Sequence, residues 1–160
     1  MIKEKLRQKI EKELEVVFEP IFSYEDVIIA AYLPSEGIVQ WKMDTWAEYV
    51  YDKFRQLNKY FRECNIQFIN IEQFTTLVLI RTMEHEIIHS IDVGNEVKEV
   101  YLQYITNKLF SERLINTILE TTYEKITRNL PRIRKKEKKQ ERNLEVMLSK
   151  RGKRRCVKNE

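Results

Sequence analysis

Residues 26–42 read DVIIAAYLPSEGIVQWK, and this stretch decides the fold class because two short β-rich runs flank a turn. Asp26–Leu33 and Gly37–Lys42 are rich in β-branched and aromatic residues, with PSE between them. Runs joined by a loop of roughly 3 to 4 residues predict a β-hairpin. A further run, Ile66–Ile71 (IQFINI), is predicted to add one strand to the hairpin.

Apolar residues recur at helical spacing on both sides of the hairpin. Thr45 and Glu48 form a predicted capping box at the start of the second helix, Pro20 closes the first, and Gly94 stops the third. The predicted helices span residues 2–18, 45–64, 75–93 and 95–131. The sequence therefore predicts an α+β fold: a small antiparallel sheet, made of the hairpin and one more strand, packed against several helices.

The chain has 160 residues, of which 42% are hydrophobic and 34% charged, a length that suits one core. Three glycines and three prolines exclude linker-rich and collagen-like classes. Cys64 and Cys156 stand alone, so neither a CxxC zinc site nor a disulfide framework is indicated. No apolar run approaches the ~18 residues that cross a bilayer. We expect an intracellular, cytoplasmic protein with one domain over residues 1–130 and a frayed helical or disordered tail over 131–160.

Charge is distributed unevenly along the chain. Residues 1–127 hold 15 Lys/Arg against 21 Asp/Glu, whereas residues 128–160 hold 14 Lys/Arg against 4 Glu. A basic tail on an acidic body is typical of a nucleic-acid partner, although a solvated tail that keeps the protein soluble is the alternative. The predicted DNA-binding residues are Arg132, Arg134, Lys135, Lys136, Lys138, Lys139 and Arg142.

The two histidines of the chain lie in the motif HEIIH, as His85 and His89 on either side of Glu86. Spacing of i and i+4 places both imidazoles on one helix face, the arrangement with which zinc hydrolases hold the metal while the glutamate acts on bound water. The sequence resembles the HExxH zinc metalloproteases over these five residues. The alternative is an ordinary polar helix face without metal.

The helical period assigns Arg81, Thr82 and Asp92 to the same polar face, with Glu86 at its flank. Ile80, Met83, Ile87 and Ile91 are assigned to the opposite, core-facing side. Asp92 joins His85, Glu86 and His89 as a predicted metal ligand, for Mg²⁺ in a nuclease or Zn²⁺ in a metalloprotease. A third zinc ligand of a thermolysin-like site would be Glu112 or Glu120. Because Glu86 is placed near the surface, Glu86→Ala is expected to cost no more than about 1 kcal/mol of stability.

A second set of polar residues lies in the hairpin. Asp26, followed by Gln40 and Lys42 in the next run, resembles the D…(D/E/Q)xK arrangement of PD-(D/E)XK nucleases, in which carboxylates hold Mg²⁺ and the lysine polarises the phosphate. The alternative is that Asp26 is a turn residue and Lys42 a charge that protects a sheet edge.

The chain as a whole resembles the small nucleases of filamentous archaeal viruses of the lipothrixvirus kind. The likeness is carried by TMEHEIIHSIDVGNE at 82–96, by the hairpin before it, and by KKEKKQER at 135–142 and RGKRR at 151–155. The resemblance implies an α+β fold, endonuclease activity on double-stranded DNA, a location in the host cell of a virus, and Glu86 as the residue that carries hydrolysis.

The sequence therefore predicts a nuclease in which Glu86 is the catalytic carboxylate and His85 and His89 assist by binding phosphate or neutralising the leaving group. Two alternatives stay open: a DNA-binding protein without catalysis, and a zinc peptidase of the HExxH type. The predicted partner is double-stranded DNA and not a membrane; the oligomeric state is left open.

Overall fold

Four helices and one β-hairpin make up the part of the chain that the computed structural model describes, residues 1–22, 28–91 and 96–156. The elements in order are α1 (Ile2–Phe22), β1 (Ala30–Leu33), β2 (Ile38–Trp41), α2 (Met43–Glu63), α3 (Ile71–Ile91) and α4 (Glu96–Cys156). The α+β class is thus confirmed. Asp26, Asp92 and Gly94, which were assigned roles in the predictions above, lie outside the described residues.

The predicted hairpin forms. β1 and β2 pair antiparallel, with Ala30 opposite Trp41 and Leu33 opposite Ile38. The turn closes with a hydrogen bond of 2.9 Å from the Gly37 amide to the Leu33 carbonyl. Gly37 has φ of +67°, a conformation that side chains with a Cβ rarely adopt. The glycine at this position therefore allows the chain to reverse tightly after PSE.

The third predicted strand is wrong. Residues 66–70 form no strand, and Ile71 already begins α3. Phe68 and Ile69 are buried, so the β-rich composition of this segment reflects its burial and not sheet pairing. Asn70 and Gln73 form a reciprocal capping box: each side-chain oxygen accepts the other residue's amide, at 3.2 Å and 2.8 Å. This cap sets the start of α3.

The end of α1 and the start of α2 also differ from the predicted boundaries. α1 continues through Pro20 to Phe22, because Phe22 packs in the core against Phe18 and Phe110, with ring centroids 4.7 Å and 5.3 Å away. α2 begins at Met43, so the predicted capping box that starts at Thr45 lies within the helix and does not define its start. In α1, the packing of Phe22 in the core therefore overrides the helix-ending signal of Pro20.

The core lies among α1, α2, α3 and the first part of α4. Its centre is aromatic: the Phe61 and Phe68 rings stack 5.4 Å apart, and the Phe74 ring meets the Phe110 ring edge-on at 6.2 Å. β1 packs against α3, and α2 packs against both α1 and α3. At the edge of the core, the Glu13 carboxylate accepts hydrogen bonds from Tyr60 at 2.8 Å and Cys64 at 3.4 Å, which ties α1 to α2.

The chain divides into two compact units, Met1–Thr122 and Tyr123–Glu160. The second unit is helical as far as Cys156, and the helix includes Pro131, at which the sequence had predicted an end. Side chains 131–149 are all exposed. None of the described helices is both long enough and apolar enough to cross a membrane.

Candidate functional site

The buried side of α3 changes from apolar to polar along the helix. Phe74 and Val78 are buried in its first half, whereas Arg81, Thr82 and Glu86 are buried in its second half. Glu86 is only 5% exposed and Arg81 only 7%. The expectation that Glu86 lies at the flank of a surface face is therefore wrong.

The opposite side of α3 is apolar and faces outward. Ile80, Ile87 and Ile91 are 37%, 50% and 80% exposed, so their predicted place in the core is wrong, and Met83 is half-buried. The physical reason is the first half of the helix, where buried Phe74 and Val78 fix the rotation of α3. At about 100° per residue, positions 82 and 86 lie about 40° and 80° from Val78, on its side of the helix, whereas positions 80, 87 and 91 lie about 140° or more away.

His85 and His89 are brought together as the motif predicts. Both side chains are half-buried, their Nε2 atoms lie 3.1 Å apart, and their rings meet edge to face. At this distance the two imidazoles share a hydrogen bond, in which one nitrogen donates and the other accepts. His85 directly precedes the buried Glu86 in the sequence, and His89 follows it three residues later.

Arg81 is a buried cation that is held by a neutral group. Its Nε and Nη2 both donate to Oδ1 of Asn107 on α4, at 2.9 Å and 2.6 Å. Among the described residues, no carboxylate forms an ion pair with Arg81. Burial lowers the pKa of the guanidinium, and the nearby Tyr49 opposes this change. An arginine carries five N–H donors, so several remain available to an anionic ligand.

Tyr49 connects Arg81 to a second buried cation on α2. The Lys53 ammonium lies 5.4 Å from the centroid of the Tyr49 ring, and Lys53 is buried. Lys53 is not among the predicted site residues, because a basic residue on a helix face is usually solvated. Its spacing from buried Val50 and Leu57 places it on the inward stripe of α2, and that spacing was the available signal.

Glu84 has a different role from Glu86. Its two carboxylate oxygens accept a bidentate pair from Arg113 on α4, at 2.7 Å and 2.6 Å. The same hydrogen bonds raise the pKa of Arg113. Glu84 therefore cross-links α3 to α4 and serves as a structural neighbour of the site.

The two histidine nitrogens have a spacing that two zinc ligands would need. Two nitrogens bound at about 2.0 to 2.1 Å to a tetrahedral zinc ion would lie about 3.3 Å apart, close to the 3.1 Å between the histidines. However, no group of three His, Cys, Asp or Glu side chains suited to a metal occurs within the described ranges. Glu112 and Glu120 are exposed, and Glu120 lines a separate cavity of about 400 Å³ together with Met1 and with Arg7 of α1.

The polar residues of the hairpin do not form a described site. Gln40 is exposed and lies opposite Ala31 in the sheet, while exposed Lys42 occupies the position before α2 and donates its amide to the Ile29 carbonyl. Asp26, the third member, is not described. The predicted DNA-binding residues of the tail, Arg132 to Arg142, are exposed on the second unit.

Comparison of the chain with protein-family models, with curated proteins and with solved structures found no match. The function is therefore argued from the residues of α3 and their neighbours.

The burial of Glu86 changes the expected stability of its variants. Glu86→Ala is predicted to lower the free energy of unfolding by about 2 to 3 kcal/mol, because it empties a buried position and removes a hydrogen-bonding group. Glu86→Gln, which keeps shape and most hydrogen-bonding capacity, is predicted to cost less. Urea denaturation of both variants measures their free energies of unfolding. Equal and small losses of stability would contradict the burial of Glu86.

Proposed function

We propose that the protein is a nuclease that hydrolyses phosphodiester bonds of double-stranded DNA, with Glu86 as its catalytic carboxylate. One observation carries the proposal: the packed side of α3 holds both a buried carboxylate, Glu86, and a buried guanidinium, Arg81, to which no described carboxylate is paired. A phosphodiester substrate needs both groups, one to act on water and one to bind negative charge.

Arg81 supports an anionic substrate. Burying a cation costs free energy unless hydrogen bonds and opposite charge compensate it, and the Asn107 amide supplies only hydrogen bonds. A phosphate oxygen would supply the missing negative charge, and the planar guanidinium matches its geometry. Buried Lys53, connected to Arg81 through Tyr49, adds a second positive charge. A peptide bond carries no charge that would need either group.

Glu86 and the histidine pair supply the proton transfers of hydrolysis. In the proposed step, Glu86 takes a proton from water while the water oxygen forms a bond to phosphorus. The bond from phosphorus to the leaving sugar oxygen breaks, and the pair His85–His89 gives a proton to that oxygen. The products are a phosphomonoester and a free hydroxyl.

The proposal includes a divalent cation, because such an ion would neutralise negative charge on the phosphate oxygens of the substrate. Glu86 is the carboxylate that would suit Mg²⁺, which prefers oxygen ligands, whereas the histidine nitrogens suit Zn²⁺. Asp92, the remaining predicted ligand, is not described. The cleavage assay therefore compares Mg²⁺, Zn²⁺ and a chelator.

The basic second unit supports DNA as the substrate. Its Lys and Arg side chains from Arg132 to Arg142 are exposed, and each contact that they make with a phosphate would release condensed counterions. The resemblance to the small nucleases of filamentous archaeal viruses agrees with this substrate, and a viral origin with a location in the host cell remains a prediction from the sequence.

Glu86→Gln is predicted to lower the rate of plasmid cleavage at least about 100-fold, because an amide cannot accept the proton of water. Glu84→Gln is the matched control: it removes a carboxylate two residues away on α3 that is bonded to Arg113, and it should keep most activity while lowering stability. Cleavage of supercoiled and linear DNA is measured below the melting temperature of each variant.

Full cleavage by folded Glu86→Gln would contradict the assignment of Glu86. DNA binding without cleavage under every metal condition would favour the non-catalytic alternative. Casein hydrolysis that needs zinc and both histidines would favour the peptidase.

The second unit is predicted to control the salt dependence of DNA binding. Replacing Lys135, Lys136, Lys138 and Lys139 by Gln should weaken binding and reduce the slope of log affinity against log salt by up to about 3 to 4, at about 0.9 for each phosphate contact. The control replaces four exposed lysines of the first unit, Lys5, Lys12, Lys59 and Lys108. Equal slopes for the two quadruple variants would exclude this segment as the binding surface.

A further inference from the structure

The second unit carries a stripe of residues with the spacing of a coiled coil. From Ile126 onward, the residues of the stripe are separated alternately by four and by three positions over three full heptads. This spacing is the a/d pattern of helices that wind around each other. The stripe consists of Ile126, Leu130, Ile133, Glu137, Gln140, Leu144 and Met147. We call this set the seam.

The seam separates apolar from basic residues. Eight of the 24 residues between 126 and 149 are Lys or Arg, yet none of them occupies a seam position. Six of the eight lie at the outer b, c and f positions of the heptad: Arg128, Arg132, Lys135, Lys138, Lys139 and Arg142. The helix therefore has an apolar side and an opposite basic side.

All five apolar residues of the seam are exposed, from 40% for Ile126 to 62% for Leu144. A long amphipathic helix gains most of its stability from packing of its apolar side, so a helix of this kind is expected to be covered. The periodicity continues over the whole described length of exposed helix, which is typical of pairing with another helix of the same length.

We propose that residues 130–147 pair with the same residues of a second copy of this chain as an antiparallel two-stranded coiled coil. The inference does not depend on the proposed nuclease activity. It follows from the positions of the two polar seam residues, Glu137 and Gln140, at the centre of the stripe.

In the antiparallel register, Glu137 lies opposite Gln140 of the partner subunit, whose amide can donate to the carboxylate. The layers on either side are then apolar: Ile133 faces Leu144 of the partner subunit, and Leu130 faces Met147 of the partner subunit. The same register places Arg134 opposite Glu141 of the partner subunit at the edge of the seam. In this register the polar seam residues of the two helices can form hydrogen bonds, and the charged residues at the edge of the seam have opposite signs.

The parallel register is less favourable. It would set Glu137 against Glu137 of the partner subunit at the centre of the interface, where two carboxylates repel. A buried polar position specifies register and orientation in coiled coils, and here it specifies the antiparallel one.

Charge gives the pairing a distinctive salt dependence. Residues 126–149 carry eight Lys/Arg and three Glu, a net charge of 8 − 3 = +5 for each helix. Salt screens the repulsion between two such helices, so self-association should strengthen as salt rises. Binding of the same segment to DNA should weaken.

Sedimentation equilibrium of the full chain, over a wide range of protein concentration at low and high sodium chloride, tests the pairing. The chain should form a dimer whose dissociation constant falls with salt, and Ile133→Asn should raise that constant at least about tenfold. Val146→Asn is the matched control, since Val146 is 52% exposed against 50% for Ile133 but lies outside the seam. A monomer at all salt concentrations, or equal effects of the two variants, would overturn the proposal.

Charge exchange tests the orientation. Arg134→Glu alone and Glu141→Arg alone should each weaken the dimer, and the double variant should restore it, because these residues meet only across an antiparallel pair. Restoration by exchanging Lys136 and Glu141 instead would show parallel pairing and overturn the antiparallel register. Circular dichroism of each variant shows whether helix content is kept.

Discussion

The packing of Phe74 into the aromatic core fixes the rotation of α3, and the arrangement of the candidate site depends on that rotation. Phe74 is fully buried and contacts the rings of Phe54, Phe68 and Phe110. Since a helix is rigid, this anchor determines which side of its later turns faces inward. The same rotation buries Val78, and at about 100° per residue Arg81 lies about 20° from Phe74 while Glu86 lies about 80° from Val78, so both are carried into the protein.

Burial of these polar groups is a cost that the fold compensates with specific contacts. Arg81 is held by the amide of Asn107 and not by a carboxylate, and Glu84 cross-links the same two helices through Arg113. The placement of ionisable groups on the packed side, while isoleucines face outward, runs against ordinary hydrophobic patterning. Departures of this kind are expected where function sets the sequence. The burial of these groups is therefore the observation on which the proposal of a charged substrate rests.

Sequence reasoning predicted the elements better than their orientation. The hairpin was predictable because β-rich runs flank a turn with Gly37, and the helices were predictable from their period. Residues 66–70 were misread because apolar residues in a buried connection look like a strand. The buried side of α3 was not predictable, since apolar residues lie all around the helix and the more continuous stripe, Ile80 to Ile91, is the exposed one. Lys53, in contrast, was predictable from the spacing of its buried neighbours on α2.

The orientation of α3 can be measured directly by thiol labelling of single cysteines in a chain whose Cys64 and Cys156 are replaced by serine. Thr82→Cys changes a buried side chain to one of similar size, and Ile87→Cys places a thiol on the exposed side. The account predicts fast labelling at position 87 and protection at position 82 until the protein unfolds. Fast labelling at 82 with protection at 87 would contradict it, because the polar side of α3 would then face solvent.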